Sequence, residues 1–401
     1  MSTTLSRLPR TVWLVGLISL LNDAASDLVY PLLPLYLAAV IGTGPRALGL
    51  IEGMAEAAAS VLKLVSGVLA DRSRRTKPWI VAGYGLAGLS RPLFAVAASW
   101  PMVLVLRLTD RVGKGLRSAP RDLLLAGSVS ADNRGLAFGV HRAMDNAGAV
   151  IGPLVAALLL GLAMPIRHIF LWTLVPAVLC LVMALLLKEP PATPRPVVAQ
   201  ARGRLSELPK GYHRFLIAVG LFSLGNSSNL FLLWRARELG IADQHIPLIW
   251  ASISAITMLA VAPLSALSDR VGRRTLLVGG YLAYALVYGL IGQVTVRGAP
   301  LLVLFGLFGL VLAASEGVER AVVADLVPVE RLGSAYGWFH LTLGATLLPA
   351  SVGFGWLYEV TSPTVAFSVA AGAALGGALL MLWWVPFGVT PHSPPTPPSS
   401  P

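Results

Sequence analysis

Residues Val103–Ser128 read VLVLRLTDRVGKGLRSAPRDLLLAGS. The flanks of this stretch are apolar enough for a bilayer, yet its middle carries Arg107, Asp110, Arg111, Lys114, Arg117, Arg121 and Asp122. Most of these step by three or four residues, a spacing that sets them in one stripe along a helix. A charge at the bilayer centre costs at least ~2.5 kcal/mol even on the mildest scale. The stripe therefore has to face a protein interior or a water-filled cavity, opposite countercharges, and the rest of the chain has to build that interior.

The 401 residues are 56% hydrophobic and only 12% charged, with a mean hydropathy of +0.74. A soluble domain carries roughly 25% charged residues, so the composition is that of a polytopic membrane protein. The net charge of +12 has two readings, nucleic-acid binding or retention of basic loops beside anionic lipid. In so apolar a chain the second is expected: the bilayer is the partner and nucleic acid is not. The single cysteine, Cys180, lies in an apolar run and cannot form an intrachain disulfide. The first apolar segment outruns a signal peptide and holds charges, so no removable signal is expected.

Spans of roughly 20 residues or more mark candidate transmembrane helices. They run over Thr11–Val40, Ala47–Ala70, Trp79–Ala98, Pro101–Leu125, Arg134–Ala163 and Ile166–Lys188, then Tyr212–Trp234, Ile246–Leu267, Thr275–Val294, Pro300–Ala324, Gly333–Tyr358 and Pro363–Phe387. The expected architecture is an all-α integral membrane fold of about twelve helices in two pseudo-symmetric six-helix bundles. Residues 1–188 form the first bundle and 212–388 the second. The Pro-rich, basic segment 189–211 links them, and 389–401 form a disordered tail. The basic clusters Arg72, Arg74, Arg75, Lys77, then Lys188 to Arg214, then Arg270, Arg273, Arg274 fall on one side. That bias predicts cytoplasmic termini and an inner, plasma-membrane location.

The halves repeat. GVLADRSRRTK after the second span matches SALSDRVGRRT after the eighth, with Asp71 and Asp269 198 residues apart, and AFG (Ala137 to Gly139) faces AYG (Ala335 to Gly337) at the same offset. A repeat at half the chain length points to a transporter whose substrate sits between two bundles near the midplane. At these residues the chain resembles the major facilitator superfamily, whose loop pattern is G-x-L-A-D-R-x-G-R-R. Gly67, Leu69, Ala70, Asp71, Arg72, Arg75 and Lys77 follow it, with Arg74 where glycine is usual; Asp269, Arg270, Gly272, Arg273 and Arg274 follow it again, with Ser265 at the first glycine. The resemblance spans the chain apart from linker and tail. It implies a cytoplasmic conformational latch at Gly67, Asp71, Arg72, Arg75, Asp269, Arg270, Gly272 and Arg273, in which carboxylate and bases pair with helix ends of the opposite half. It also implies a monomer.

The fifth span carries GAVIGPLVAA, Gly148 to Ala157. Gly148, Gly152 and Pro153 resemble the superfamily's antiporter motif, G-x-x-x-G-P-x-x-G-G, with Ala156 and Ala157 in place of the last two glycines. Small residues also serve simple close packing of helices. The fourth span is where the family has R-x-x-Q-G-x-G. Spacing from the fifth span puts that arginine at Arg107, with Asp110 for Gln; a rival register starts at Arg111 and is followed by Lys114. In antiporter relatives this arginine is tied to proton coupling, but the present helix is far more charged than the family pattern.

Other ionisable residues also fall inside spans. Asp23 and Asp27 are i, i+4 on the first; Glu52, Glu56 and Lys63 share a face of the second; Arg91 lies on the third; and His141, Arg142 and Asp145 lie on the fifth. Acids of spans one, two and five can pair with the bases of span four, either as a packing network or as a proton site. The candidate central set is Asp23, Asp27, Glu52, Glu56, Arg107, Asp110, Arg111, Lys114, His141, Arg142 and Asp145. Asp23, Asp27 or Glu56 would carry the proton, with Arg107 tuning it. The second half offers Asn226, Asn229, Glu316, Glu319, Arg320 and His340, with Trp234, Tyr281, Tyr284, Trp338 and Phe339 as a possible apolar substrate wall. Glu316 and Arg320 can pair as i, i+4, leaving Glu319 to face the cavity.

No zincin, nucleophile-elbow or phosphate-loop pattern occurs, so no enzyme, cofactor or metal is expected. The leading reading is a small-molecule exporter, a drug or metabolite antiporter that exchanges substrate for protons by alternating access. The alternatives are a proton symporter that imports an anionic metabolite on the basic stripe, and a lipid-handling carrier on the same fold.

Overall fold

A computed structural model describes residues 8–73, 75–129, 134–188, 205–295, 298–328 and 331–386, with the side chains of 64, 67–73, 134–135, 266, 269, 316–317 and 332–333 outside the described set. Twelve membrane-length helical spans follow one another. They are α1 (Arg10–Val29, continued by Leu32–Tyr36 and Leu37–Ile41), α2 (Pro45–Ser73), α3 (Lys77–Leu93), α4 (Trp100–Gly127), α5 (Arg134–Gly161), α6 (Ile166–Trp172 and Leu174–Leu185), α7 (Lys210–Gly225 and Leu230–Glu238), α8 (Ile246–Val271), α9 (Arg273–Gln293), α10 (Ala299–Leu326), α11 (Leu332–Val360) and α12 (Pro363–Trp383).

Among the described residues, ten of these are long and apolar enough to cross a membrane, and α2 and α4, the carriers of Glu52, Glu56, Lys63 and the charged stripe, are not among the ten. Their polarity is tolerable because they lie against each other, with α2 also packed on α11 and α4 on α3. The bilayer meets other surfaces. Leu158, Leu162, Leu186, Leu259, Leu286 and Trp383 are all more than half exposed, as lipid-facing side chains must be.

Three spans break, each for a local reason. After Tyr30, Pro31 lacks the amide hydrogen a continuous helix needs, and α1 restarts and ends as a wider turn over Leu37–Ile41. α6 is interrupted at Thr173, whose hydroxyl donates to the Phe170 carbonyl. α7 unwinds over residues 226–229, where Asn226 leaves helical geometry (φ −98°, ψ 72°). The freed polar groups find partners there: the Ser228 amide donates to Ser351 Oγ at 3.2 Å, and Ser227 Oγ meets Tyr288 Oη at 2.8 Å.

Consecutive spans run antiparallel, so Arg10 and Trp383 share one end of the bundle, called the near end here. The two halves meet mainly through α2 with α11 and α5 with α8. Towards the far end this seam is closed. Arg46 Nε lies 3.5 Å from Glu359 Oε1, and Tyr30 and Trp250 rings sit 4.8 Å apart. Gly49 and Gly355 let α2 and α11 touch backbone to backbone: a Cβ at Gly355 would lie 2.5 Å from the Pro45 carbonyl oxygen, and one at Gly49 would strike that of Ser351. On the near side of the Ser60–Gly344 contact, Lys63, Arg142, Arg320 and His340 are solvent-exposed although all lie within spans. The bundle is thus shut at the far end and hydrated toward the near end.

Candidate functional site

The stripe on α4 meets its countercharges residue by residue. Arg107 grips Glu52 of α2 through two contacts, Nε–Oε1 at 2.6 Å and Nη2–Oε2 at 3.1 Å. Asp110 lies 3.6 Å from Arg107 and 2.8 Å from Arg91 of α3, whose Nη1 also donates to the Asn22 carbonyl and side-chain oxygens. Arg111 Nε is 2.9 Å from Glu56 Oε1, an ionic contact without the alignment of a hydrogen bond. Deeper along α4, Arg117 lies over the Tyr84 ring at 4.6 Å, and Arg121 pairs with Asp122. Three helices thereby share one buried ion network, as paired charges out of water must.

Arg107 is paired with Glu52 and Asp110 and lies within electrostatic range of Glu56. Asp23 and Asp27 lie on α1. Asp23 lies close to Asp145 of α5 and accepts from Asn22 Nδ2 at 2.7 Å. Asp145 in turn has Arg142 Nη1 at 3.5 Å. Lys114 lies within electrostatic range of Asp23, Asp27 and Glu56. Asp27 accepts a hydrogen bond from Trp250 Nε1 of α8 at 3.1 Å, a link between the two halves. His141 shares Ser19 Oγ at 2.8 Å and packs as an interior hydrogen-bonded residue.

The close approach that brings Asp23 to Asp145 depends on α5's small residues. A Cβ at Gly148 would lie 3.0 Å from the Ala24 amide nitrogen, and one at Gly152 would lie 2.7 Å from that of Leu28. Gly148 and Gly152 thus seat α1 directly on α5.

Two cavities lie between the halves. One of about 210 Å³ is walled by Tyr30, Glu52 and Glu56 on one side and by Asn226, Asn229 and Ser351 on the other. Its first wall is two ion pairs, its second neutral amides, hydroxyls and unwound backbone. The second cavity, about 340 Å³, opens among α5, α8 and α10, with Arg142 and Arg320 at its edges.

Several second-half candidates lie elsewhere. Glu319 is buried and accepts from Tyr281 Oη at 2.7 Å. Trp234, Tyr281, Tyr284 and Phe339 are buried core residues: Tyr281 and Tyr284 pack on Phe222, Phe339 packs on Phe215, and Trp234 Nε1 donates to Glu238; Trp338 is half-buried. Arg273 pairs with Asp325 of its own half at 3.0 Å, Arg75 and Arg270 are exposed, and Gly272 turns with φ 90° between α8 and α9. Asp71, Arg72, Asp269 and Glu316 have side chains outside the described residues, as does the position at Gly67; the linker 189–204 and the tail lie outside them too. Sequence reasoning left Tyr30, Trp250, Ser227 and Ser351 out of the site. The Tyr30-Pro31 break and the polar run Asn226–Asn229 were the available signals. Among the described residues, no group of three or more His, Cys, Asp or Glu could hold a metal ion.

The sequence profile of the Major Facilitator Superfamily matches residues 15–234 and 214–401. The chain belongs to the major facilitator superfamily. An uncharacterized MFS-type transporter of Methanocaldococcus jannaschii is 31% identical over 94% of this chain and 95% of its own length. The multidrug resistance protein MdtH of Photorhabdus laumondii is 24% identical over 82% of each. The crystal structure of a D-xylose-proton symporter superposes with a TM-score of 0.76 at 17% identity, over 94% of this chain and 97% of that one, and a nucleoside transporter NupG variant with 0.78 at 15%, over 93% and 99%. These likenesses establish the fold. The chain is an integral membrane transporter of small molecules, and not an enzyme.

Proposed function

We propose that this transporter is proton-coupled, works by alternating access as a monomer, and carries its proton on the Asp23–Asp145 pair. The observation that carries this reading is the contact of two carboxyl groups from different helices. Two neighbouring carboxylates repel unless one of them holds a proton. The other acids of the network, Glu52, Glu56 and Asp110, each lie against an arginine. The groups facing the pair are Lys114, Arg117, Arg121, Asp27 and His141 around Asp23, and Arg121 and Arg142 around Asp145. The stretch Ile246–Leu267 of α8, which packs on α5, brings no ionisable residue.

Export by exchange for protons is supported by the Gly148-x-x-x-Gly152-Pro153 pattern, whose two glycines seat α5 on α1 beside Asp27, and by the name of the MdtH relative. A plasma-membrane location with both termini cytoplasmic fits the basic near-end loops. Co-transport of a proton with an anion is favoured by a different observation, the exposed cations Lys63, Arg142 and Arg320 toward the near end. The test is a pH dye sealed in proteoliposomes of the full chain, challenged with cationic, neutral and anionic compounds. Substrate-dependent proton movement should vanish in Asp23→Asn and Asp145→Asn. Undiminished movement in both would refute the pair as the proton site, and the sign of the movement separates exchange from co-transport.

A further inference from the structure

The cavity of about 210 Å³ between α2 and the unwound part of α7 differs on its two sides. Drug-sized ligands fill sites of about 300–1,000 Å³, so this one suits a smaller molecule. On the first-half side Glu52 and Glu56 line it, while the arginines they pair with, Arg107 and Arg111, do not. The two carboxyls are not held alike. Glu52 has Arg107 on both of its oxygens and a side chain 2% exposed, whereas Glu56 meets Arg111 by an ionic contact alone and is 26% exposed. On the second-half side, Asn226 and Asn229 present carboxamides. Asn226 Oδ1 accepts from Tyr284 Oη at 3.2 Å, which leaves its amino group to the cavity. Among the described residues, no hydrogen bond occupies that amino group, the Asn229 side chain or the Tyr30 hydroxyl.

We propose that this cavity binds a small, uncharged, polyhydroxylated molecule, its hydroxyls held by Glu56 and Tyr30 on one side and by Asn226 and Asn229 on the other. Charge decides against the other classes. An ammonium group would be drawn to Glu56, but Arg107, Arg111, Lys63 and Lys114 lie within electrostatic range of that carboxylate and already match it. A carboxylate or phosphate would face Glu52 and Glu56, and among the described residues no basic side chain lines the cavity to receive it. A hydroxyl both donates and accepts. It can donate to Glu56 and accept from the Asn226 amino group, while the Asn229 amide and the Tyr30 hydroxyl serve in either direction. An ammonium only donates and would leave the amide donors without a partner. Leu347 is the one aliphatic side chain of the described lining, so an apolar body finds little to rest on. A molecule held this way joins α2 to α7, one half to the other, beneath the closed far end. The proposal rests on the transporter fold and needs no proton on Asp23 or Asp145.

The test is saturable binding of tritiated compounds to the full chain in detergent, read by scintillation proximity. Direct binding is preferred to a melting shift because polyols stabilise folded proteins by exclusion from their surface. The neutral probes are D-ribose, D-glucose and myo-inositol; glucosamine and gluconate are their charged counterparts. At least one neutral probe should bind saturably, and more tightly than either charged one. Its affinity should fall roughly three- to tenfold in Tyr30→Phe and in Asn229→Ala, the net worth of one hydrogen bond. Neither substitution removes an internal side-chain hydrogen bond, so both variants should keep the parent's melting temperature, which reports that they fold. The parent's preference among the probes decides the point even where a variant unfolds. Absence of saturable binding by all three neutral probes, tighter binding of a charged one, or unchanged affinity in both folded variants would overturn the proposal. The pH dye in proteoliposomes separates this site from the proton reading. Neutral-probe binding without proton movement keeps the cavity's role and removes the Asp23–Asp145 pair; proton movement driven by charged compounds alone keeps the pair and removes this proposal.

Discussion

Arg107 and Glu52 face each other across α4 and α2 with two nitrogen–oxygen contacts, and each side chain is only 2% exposed. A pair this buried is held by mutual need. Removing one partner leaves a charge without compensation, whereas replacing both leaves none.

Glu52→Gln or Arg107→Met alone is therefore expected to lower stability by about 3 kcal/mol, the size found when one member of a buried pair is removed. The double variant should regain at least half of that loss. Thermal unfolding of the detergent-solubilised proteins checks it, and equal losses in single and double variants would count against a coupled pair.

Gly152→Ala is expected to disrupt the α1–α5 seam, because the new Cβ would lie 2.7 Å from the Leu28 nitrogen, a backbone atom that cannot step aside. Gly139→Ala, also on α5, meets nothing within 4 Å and should be tolerated. Their melting temperatures compared under one condition test the difference, and substrate transport by Gly152→Ala should fall with its stability.

Trp250→Phe removes the indole donor to Asp27 and should loosen the far-end closure by about 1 kcal/mol, the net worth of one hydrogen bond. A disulfide trap between Arg46→Cys and Glu359→Cys, at an ion pair on the same closed seam, reports that closure. Oxidation should be slower in the Trp250→Phe background. Cys180 is buried and should interfere little.

Asp145→Asn keeps a hydrogen-bonding group against Asp23 but removes one carboxyl, so the chain should fold and lose its pH-driven component of transport. Asp110→Asn is expected to act differently. It strips the carboxylate from Arg91 and Arg107 and should reduce stability before coupling. Flux against pH, set beside the melting curve for each variant, distinguishes the two.

Much of this was legible in order of residues. The apolar spans, the repeat of Asp71 and Asp269, and the stripe on α4 announce twelve helices in two related halves, because a bilayer accepts only long apolar helices and charges only where they are enclosed. The same stripe required countercharges, and Glu52 and Glu56 supply them. What spacing along one helix could not give was the partner across the bundle. Asp23, Asp27, Glu52 and Glu56 look alike as acids in apolar spans, yet two of them meet arginines, one meets another aspartate and one meets an indole. Tyr281 and Glu319 read as cavity residues and are core. Periodicity sets which face a side chain occupies, while the rotation of that helix against its neighbours, decided by close contacts such as Gly152 on Leu28, sets what the face meets. The sequence by itself determined a two-fold helical membrane carrier with charges that had to be enclosed. Only the packing of α1, α2, α4 and α5 decided which charges cancel and which pair of carboxyls is left in contact.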